Sequence, residues 1–426
     1  MAIRISGGNV LDPGRLSGQY DLIIDNGVIL KILEGGAPFD SVPIERTIDA
    51  KGKLVTPGLI DMHVHLREPG FEYKETIETG CKAAARGGFT SVCCMPNTKP
   101  VNDNRQVTEY IIQKAREAGY AKVYPAAAIS TMSKGQALCE YGELKEAGVV
   151  ALTDDGLPVT NGQLMRRALE YAKGFGLPII SHCEDMDLAA GGCMNEGAVA
   201  TRLGLAGIPN ISESIMVMRD IGLAELTGGR VHIAHVSTRE SVEAIRSAKL
   251  RGVNVTAETA PHYFTLTDAS VMGYDTSAKM NPPLRSEDDR QAIREGLADG
   301  TLDVIATDHA PHSPLEKNVE FSQAANGIVG LETSLPLSLK LVEEKVLSLE
   351  SLIRKMSTNP AAILGIPSGI MEGAVADITI IDLESEYILD VKDLYSKSKN
   401  TPFGGWKLKG RAVATLVDGK LVYEIK

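Results

Sequence analysis

Cysteine is scarce in this sequence, which has six cysteines in 426 residues, two of them adjacent at Cys93 and Cys94. No Cys-x-x-Cys pair occurs, so the spacing typical of a thiolate zinc site is missing. The disulfide framework of a small secreted protein would need a higher cysteine content. We therefore expect reduced and mostly buried cysteines in a cytoplasmic protein.

Long apolar runs and blocks of positive charge are also missing. No stretch reaches the roughly 18 apolar residues of a membrane-spanning helix, and residues 1–15 lack the apolar core of a signal peptide. The 44 Lys and Arg residues are outnumbered by 55 Asp and Glu residues, which gives a net charge of −11. Neutralisation of phosphates supplies most of the affinity for nucleic acid, so an acidic chain binds it poorly. We expect neither a membrane nor a nucleic acid as a partner.

The two ends of the chain share a pattern that is typical of β-hairpins. Asn26 and Gly27 separate two runs rich in branched apolar residues, and Asp418 and Gly419 do the same near the other end. Such dipeptides between such runs indicate tight turns between antiparallel strands. We predict that residues 1–53 and 366–426 together form one small composite domain, a β-sandwich built from both termini.

The middle of the chain alternates between strand-like and helix-like stretches. The strand-like runs are Leu59–His65, Phe89–Met95, Lys122–Ile129, Val149–Thr153, Pro178–His182, Val231–His235, Val253–Thr259 and Val304–Thr307. Helix-like stretches between them include Thr76–Arg86, Asn104–Ala118, Gln163–Gly174, Ser212–Thr227 and Glu240–Leu250. The alternation predicts an α/β fold, a (β/α)8 TIM-like barrel over residues 54–365. An open doubly wound sheet is the alternative, although no Gly-x-Gly-x-x-Gly follows the first strand.

Histidine and aspartate residues lie at the carboxyl ends of the predicted barrel strands. They are His63 and His65 on the first strand, Asp154 and Asp155 on the fourth, His182 on the fifth, His235 on the sixth and Asp308 on the eighth. Residues i and i+2 of a strand point to one face about 7 Å apart, so His63 and His65 can share one metal ion. Barrel enzymes place their chemistry at these strand ends. The pattern therefore predicts a metal-dependent active site.

Imidazole and carboxylate ligands together favour zinc. This set exceeds the roughly four ligands of one zinc ion, so two ions bridged by a carboxylate fit it better. The bridge would be Asp154 or Asp155, because no Lys ends the fourth strand to carry a carbamate. We interpret His232, His262 and His309 instead as hydrogen-bonded core residues.

Seven short motifs resemble those of the amidohydrolase superfamily, in the form found in the bacterial class I dihydroorotases. They are DMHVHLREPG at 61–70, MPNT at 95–98, TDDG at 153–156, SHCE at 181–184, IAHVS at 233–237, MNPPLR at 280–285 and ATDHAPH at 306–312. They occur in the family's order, and the resemblance covers nearly the whole chain.

The resemblance implies two zinc ions per subunit and a set of site residues. The implied metal ligands are His63, His65 and Asp308 for the first ion, His182 and His235 for the second, and Asp155 as the bridge. The choice of Asp155 over Asp154 comes from the family pattern alone. The residues implied to bind substrate are His65, Arg67, Asn97, Asn281, His312, Asn326 and Gly327.

The resemblance also implies a reaction, the interconversion of N-carbamoyl-L-aspartate and L-dihydroorotate plus water in de novo pyrimidine biosynthesis. Ring opening needs a nucleophile at neutral pH, and zinc lowers the pKa of bound water to about 7. The implied mechanism is attack of this hydroxide on the ring amide, with Asp308 as the catalytic general base and acid. Arg67 suits the substrate carboxylate because its planar fork binds both oxygens.

Residues 313–330 follow the last predicted barrel strand, and their place over the barrel mouth suggests a lid with Gly327 and Gly330 as hinges. The family usually has Pro-Phe-Gly here, whereas this chain has Ala325, Asn326 and Gly327. Backbone contacts survive that change, but any role of an aromatic side chain does not.

Two other functions stay open on the sequence. A hydantoinase, dihydropyrimidinase or allantoinase also cleaves a cyclic amide, but that group uses a carbamylated Lys as the bridge. A non-catalytic structural partner of aspartate transcarbamoylase would have lost metal ligands, and all six implied ligands are present here. The resemblance further implies a homodimer, and we consider an association of the active enzyme with aspartate transcarbamoylase.

Overall fold

The computed structural model describes residues 2–425. Its strands are β1 (Ala2–Asp12), β2 (Leu16–Asp25), β3 (Val28–Glu34), β4 (Ile44–Asp49), β5 (Leu54–Pro57), β6 (Leu59–Val64), β7 (Phe89–Cys94), β8 (Lys122–Ala127), β9 (Ala151–Leu152), β10 (Ile179–Ser181), β11 (Met194–Asn195), β12 (Gly207–Ile208), β13 (Val231–Ile233), β14 (Val255–Thr259), β15 (Val304–Ile305), β16 (Ile378–Ile388), β17 (Lys407–Val417) and β18 (Lys420–Glu424).

The α-helices are α1 (Ile77–Gly87), α2 (Arg105–Ala118), α3 (Tyr141–Ala147), α4 (Gly162–Gly174), α5 (Met186–Ala189), α6 (Ala198–Leu203), α7 (Ile211–Thr227), α8 (Arg239–Leu250), α9 (Pro261–Thr265), α10 (Glu287–Ala298), α11 (Pro314–Lys317), α12 (Ser334–Glu343), α13 (Leu349–Ile353) and α14 (Asn359–Leu364). Short 3-10 turns occupy Thr131–Ser133, Asp268–Val271, Thr276–Ala278 and Val391–Asp393, and Arg354–Thr358 forms a π-helical turn.

Eight parallel strands form the barrel, in the order β6-β7-β8-β9-β10-β13-β14-β15. The His65 N–H donates to the His309 carbonyl at 2.8 Å, and Val64 pairs with His309, so the chain after the last strand meets the end of the first. The barrel is nearly closed, which confirms the predicted (β/α)8 fold and excludes the open doubly wound sheet.

Most of the long barrel helices begin at a side chain that caps their free N–H groups. Thr76 caps α1, Asn104 caps α2, Asn161 caps α4 and Thr238 caps α8, each accepting a hydrogen bond from an N–H two or three residues onward. Buried apolar residues of these helices and of the strands form one large core. Local capping and packing together therefore hold the helices around the barrel.

Strands near the two chain ends form a second, separate sheet, as predicted. Its order is β18-β17-β16-β5-β1-β2-β3, and β4 pairs with β1. The turns at Asn26 and Gly27 and at Asp418 and Gly419 are both present, and all four residues have positive φ. Such backbone is typical of the tight turns that match the twist of a hairpin.

The terminal sheet has a core of its own, which includes Ile5, Leu22 and Ile378. Strand β5 pairs with β1 and β16, so the chain passes from this sheet into the barrel just before Leu59. The domain limits at 1–53, 54–365 and 366–426 stay a prediction.

Within residues 2–425 no helix combines the length and the apolar character needed to cross a bilayer. All six cysteines are free, and every one except Cys193 is buried, which confirms the predicted burial. Burial raises the pKa of the Cys94 thiol to about 12, so this thiol stays protonated and unreactive.

Candidate active site

The predicted metal ligands lie together at the carboxyl ends of five barrel strands. His63 lies in β6 and His65 just after it, Asp155 follows β9, His182 follows β10, His235 follows β13 and Asp308 follows β15. Asp308 is 9% exposed and the other five less. Burying polar side chains against one another is unfavourable unless they are paired or coordinate a cation.

His63, His65 and Asp155 form a first group, in which the candidate ligand atoms all lie within 4.8 Å of one another. Nε2 of His63 is 3.3 Å from Oδ1 of Asp155, and Nε2 of His65 is 3.6 Å from Oδ2. Oδ1 of Asp308 adjoins this group, 3.1 Å from Nε2 of His65 and 3.6 Å from Nε2 of His63.

Asp155, His182 and His235 form a second group of the same kind. Nδ1 of His182 is 2.8 Å from Nε2 of His235. Oδ1 of Asp155 is 3.8 Å from the first of these nitrogens and 3.6 Å from the second. Asp155 therefore belongs to both groups and lies between them.

The donor atoms of the two groups fit divalent cations. Nε2 of His63 and Oδ1 of Asp155 are buried and have no hydrogen-bond partner. An unpaired buried polar atom costs about 1–3 kcal/mol, and a cation between the two atoms would remove that cost. Imidazole nitrogen and carboxylate oxygen are also the ligands that zinc takes in catalytic sites.

Three of the four histidines are held from outside the cluster through their second ring nitrogen. The pairs are Nδ1 of His63 with Glu258 at 2.6 Å, Nδ1 of His65 with Asn97 at 2.9 Å, and Nε2 of His182 with Glu184 at 3.1 Å. Such contacts fix the orientation of each ring and make its free nitrogen a better ligand.

Sequence reasoning missed Glu258 and Glu184. Glu258 is 1% exposed in the otherwise uncharged strand β14, and a lone acidic residue inside a strand was the available signal. Glu184 stands in the SHCE motif and also accepts a hydrogen bond from Nδ2 of Asn281 at 3.1 Å.

Asp154 and Asp155 point in different directions, although strand spacing left them equivalent. Asp154 accepts hydrogen bonds from the Ser130 N–H, at 3.0 Å, and from the Ser130 hydroxyl. It therefore ties the end of β9 to the segment after β8, while Asp155 faces the histidines.

Burial and charge act in opposite directions on the titratable groups of the cluster. Burial lowers the pKa of His63, but the carboxylates of Asp155 and Glu258 outweigh it and raise that pKa well above its ordinary value. Burial raises the pKa of Asp308, but a hydrogen bond with His65 and the histidine charges hold it well below its usual range. Asp308 is therefore an ionised carboxylate at neutral pH.

A cavity of about 210 Å³ opens beside the cluster. It is lined by His65, Arg67, Asn97, Asp155, Gly156, His182, His235, Asn281, Asp308, Ala310, His312, Asn326 and Gly327. All seven predicted substrate-binding residues and five of the six predicted metal ligands therefore line one cavity, with His63 behind it. Two grooves of about 470 Å³ elsewhere on the surface are lined by none of these residues.

One wall of the cavity suits a carboxylate. Nε of Arg67 donates to the Pro311 carbonyl at 3.1 Å, and burial lowers the pKa of Arg67 only to about 10, so it stays charged. Nε2 of His312 is 2.8 Å from the Asn326 carbonyl, which can only accept, so Nε2 carries the hydrogen and donates to it. Nζ of Lys74 lies 3.4 Å from Nδ1 of the same ring, and Nη2 of Arg67 lies 3.3 Å from Nε2. Burial and the charge of Arg67 lower the pKa of His312 to about 3, which keeps the ring neutral.

The interpretation of three histidines as hydrogen-bonded core residues is confirmed for two. His232 contacts Glu258 through Nε2 at 3.2 Å, and His309 contacts Glu75 at 3.4 Å. His262 is also a buried core residue, but its Nε2 has no hydrogen-bond partner, so that part of the interpretation is wrong. Burial lowers the pKa of His262 to about 4, so the neutral ring tolerates this position.

Close packing explains both glycines of residues 313–330. Gly327 has a φ of 108°, and a Cβ there would lie 2.5 Å from Cβ of Ala310. A Cβ at Gly330 would lie 2.9 Å from Cβ of Thr307. Closure of this segment as a lid stays a prediction.

A (β/α)8 barrel with histidines and aspartates from five strands gathered at its mouth defines the amidohydrolase class. A family model described as "Amidohydrolase family" matches residues 194–423, and one described as "Dihydro-orotase-like" matches residues 52–241. The chain is 60% identical over 424 residues to a dihydroorotase of Desulforapulum autotrophicum, covering 100% of this chain and 99% of the relative. It is 59% identical to one of Syntrophotalea carbinolica, with 100% of both chains covered. The chain belongs to the dihydroorotase family.

Solved structures with the same fold carry related names. An L-hydantoinase (dihydropyrimidinase) from Arthrobacter aurescens superposes with a TM-score of 0.89 at 26% identity, covering 99% of this chain and 96% of that one. A dihydropyrimidinase from Brevibacillus agri superposes with a TM-score of 0.84 at 24% identity, covering 100% and 95%. The second likeness concerns the fold alone.

Proposed function

We propose that this chain catalyses the dihydroorotase reaction, the interconversion of N-carbamoyl-L-aspartate and L-dihydroorotate plus water in pyrimidine biosynthesis. The observation that carries the proposal is that one small cavity is lined by members of both ligand groups, by Asp308 and by Arg67. The relatives named dihydroorotase support it, because they match over the full length of the chain.

We infer that the cluster holds two zinc ions per subunit. The proposed ligands are His63, His65 and Asp308 for one ion, His182 and His235 for the other, and Asp155 between them. Ions bound there would provide a nucleophile from water at neutral pH and polarise the ring carbonyl.

Asp308 moves the proton in this proposal. In ring opening the amide C–N bond breaks, a C–O bond forms with the water oxygen, and the leaving nitrogen needs a proton. The Asp308 carboxylate lies beside the first group, 3.1 Å from Nε2 of His65, where it accepts the water proton and delivers it to the nitrogen. Ring closure uses the same groups in reverse order.

Arg67 and His312 bind the substrate carboxylate. The planar guanidinium donates two parallel hydrogen bonds. The neutral ring of His312, whose Nε2–H donates to the Asn326 carbonyl, lines the same wall. The other proposed contacts come from His65, Asn97, Asn281, Asn326 and Gly327.

A cyclic amidase for another ring is the second candidate, and the likeness to the L-hydantoinase favours it. Hydantoin and dihydrouracil have no carboxylate, so either would leave the buried Arg67 without an anionic partner, which is costly. The residues that line the cavity also include no Lys to carry a bridging carbamate.

An assay of the purified, zinc-loaded chain on four rings decides between the candidates. We expect turnover of L-dihydroorotate and none of hydantoin, dihydrouracil or allantoin, with two zinc ions per chain. Turnover of another ring but not dihydroorotate would establish the second candidate. No turnover, with substoichiometric metal, would instead indicate a structural partner of aspartate transcarbamoylase.

We also propose a cytoplasmic homodimer, which the family resemblance supports. Association with aspartate transcarbamoylase is a further proposal. Sedimentation of the purified chain, alone and mixed with the transcarbamoylase, tests both.

A further inference from the structure

Residues 395–400, here called the crossing segment, lie between the Val391–Asp393 turn and β17, beyond the barrel in the chain. The segment nevertheless contacts the barrel mouth at several points. The N–H groups of Tyr395 and Ser396 donate to Glu332, at 2.8 and 3.0 Å. The Ser398 hydroxyl donates to the Lys74 carbonyl at 2.7 Å, and the Lys397 N–H donates to Glu75 at 2.9 Å.

Asn400 ends the crossing segment and contacts both backbone segments of the carboxylate-binding wall. Its Oδ1 accepts from the His312 N–H at 3.0 Å. Its Nδ2 donates to the Ala310 carbonyl at 3.0 Å and to the Gly327 carbonyl at 3.1 Å. Its own carbonyl accepts from the Val329 N–H at 2.9 Å. At 7% exposure, this amide is largely shielded from water.

These contacts join the segment that carries His312 to the segment that carries Asn326. Apart from Asn400, three contacts connect those segments. The Ala310 N–H donates to the Ile328 carbonyl at 2.7 Å, the Gly330 N–H donates to Nδ1 of His309 at 3.1 Å, and Nε2 of His312 contacts the Asn326 carbonyl. Removal of the Asn400 amide would leave the Ala310 carbonyl and the His312 N–H without this partner, while the Gly327 carbonyl would keep its bond from Nζ of Lys317 at 3.0 Å. Buried groups in that state cost about 1–3 kcal/mol each, so the two segments would shift to find other partners.

We propose that Asn400 is a positioning residue for the substrate carboxylate. It acts through His312 and the Asn326–Gly327 backbone, whose spacing it sets, and it touches neither the metal ligands nor the reacting atoms. The assignment of the wall to a carboxylate rests on the proposed function. This role of Asn400 makes substrate binding depend on a segment from outside the barrel.

Steady-state kinetics of Asn400→Ala and Asn400→Asp on L-dihydroorotate test the proposal. Asp has the shape of Asn and keeps the acceptor for the His312 N–H, but it places a carboxylate against the Ala310 and Gly327 carbonyls. We expect both variants to raise KM by about tenfold or more, with kcat within about threefold and zinc content unchanged. An equal effect of Asp and Ala would show that hydrogen bonding, rather than volume, positions the wall.

Asn359→Ala is the matched control, because Nδ2 of Asn359 donates to the Asp303 carbonyl at 2.8 Å, ahead of β15 and away from the cavity. We expect it to lower the thermal unfolding midpoint without changing KM. If the Asn400 variants likewise lose only stability and keep the wild-type KM, the proposal is overturned.

Hydrogen exchange separates this proposal from the proposed function. Amides of residues 309–313 and 325–330 should exchange about tenfold faster in Asn400→Ala than in the wild type, while helix α4 is unchanged. An inactive wild type would overturn the proposed function alone, and faster exchange in the variant would still support the positioning role. Unchanged exchange would refute that role whether or not the wild type is active.

Discussion

At the scale of single residues, three of the four candidate ligand histidines have two nitrogens with different tasks. His63 presents Nε2 to Asp155 and is held through Nδ1 by Glu258, which in turn contacts His232. Because these contacts already fix the orientation of the ring, a cation that binds does not have to immobilise it. Glu258 should therefore contribute to metal affinity without being a ligand.

Glu258→Gln should weaken zinc binding by about 10- to 100-fold, because the neutral amide no longer orients and polarises the His63 ring. Competition with a chromophoric chelator measures the affinity. Glu332→Gln is the control, since Glu332 is similarly buried but contacts Arg86 and the crossing segment instead. Wild-type affinity in Glu258→Gln would contradict the role.

Arg67→Met should raise KM for L-dihydroorotate by about 10- to 100-fold, because a charge-assisted pair with the carboxylate is lost. Zinc content should not change, since Arg67 is outside both ligand groups. Metal analysis beside the kinetics checks this, with Arg105→Met, a half-buried arginine that pairs with Glu146, as control. Loss of zinc in Arg67→Met would mean that the side chain supports the cluster rather than the substrate.

At the scale of elements, very short strands carry much of the site. Strands β9 and β15 have two residues each and β10 and β13 three, yet five of the six candidate ligands lie at or beyond strand ends. The segments after the strands are therefore shaped by contacts with one another. Residues 310–312 and 327–329 form the clearest example, because they are packed directly together.

Gly327→Ala should separate these two segments, because a Cβ at φ 108° would lie 2.5 Å from Cβ of Ala310. We expect a higher KM for L-dihydroorotate and a lower thermal unfolding midpoint, from a cost of about 1–2 kcal/mol or more. Gly222→Ala in helix α7 is the control, with open space around it. It should raise the midpoint slightly, since Ala favours helix. An unaltered KM in Gly327→Ala would show that the wall tolerates the displacement.

At the scale of the whole molecule, a few charges are buried far from the active site. Lys355 lies in the π-helical turn, is 6% exposed, and donates to the Leu302 carbonyl at 2.5 Å. Burial lowers the pKa of Lys355 from 10.5 to about 8. The carboxylates of Asp303 and Asp299 raise this pKa, and the positive charge of Lys249 lowers it further. The folded state therefore binds this proton less tightly than the unfolded state.

Stability should consequently rise as the pH increases from about 8 to 10.5. Below about pH 8 Lys355 is protonated in both the folded and the unfolded state. Between pH 8 and 10.5 only the unfolded state keeps the proton, so the free energy of unfolding rises by up to about 3 kcal/mol. Lys355→Met should be more stable than the wild type at pH 7. Its stability should not show the increase between pH 8 and 10.5 that comes from Lys355. Thermal unfolding midpoints of both proteins across the window measure it. Lys317 also has a pKa of about 8, but it contributes equally to the wild type and to the variant. Parallel stability curves of the two proteins would therefore contradict the role given to Lys355.

Local patterns were sufficient to predict the barrel and the two hairpins, and they placed the candidate ligand histidines near strand ends. Strand alternation, helix caps and turn dipeptides depend on neighbours within a few residues, so the predicted runs match β6, β7 and β14 closely. The position of His65 at a strand end follows from the same local pattern. These features are decided by backbone preferences that act before distant segments meet.

Spacing within the chain left Asp154 and Asp155 equivalent, and only the tertiary structure brought Glu258 and Asn400 to the site. Glu258 contacts His63 across 195 positions of sequence, and Asn400 contacts His312 across 88. Each was an ordinary polar residue in its own segment. Their roles depend on which carbonyls, amides and rings are left unpaired when distant segments pack, and no local pattern records that.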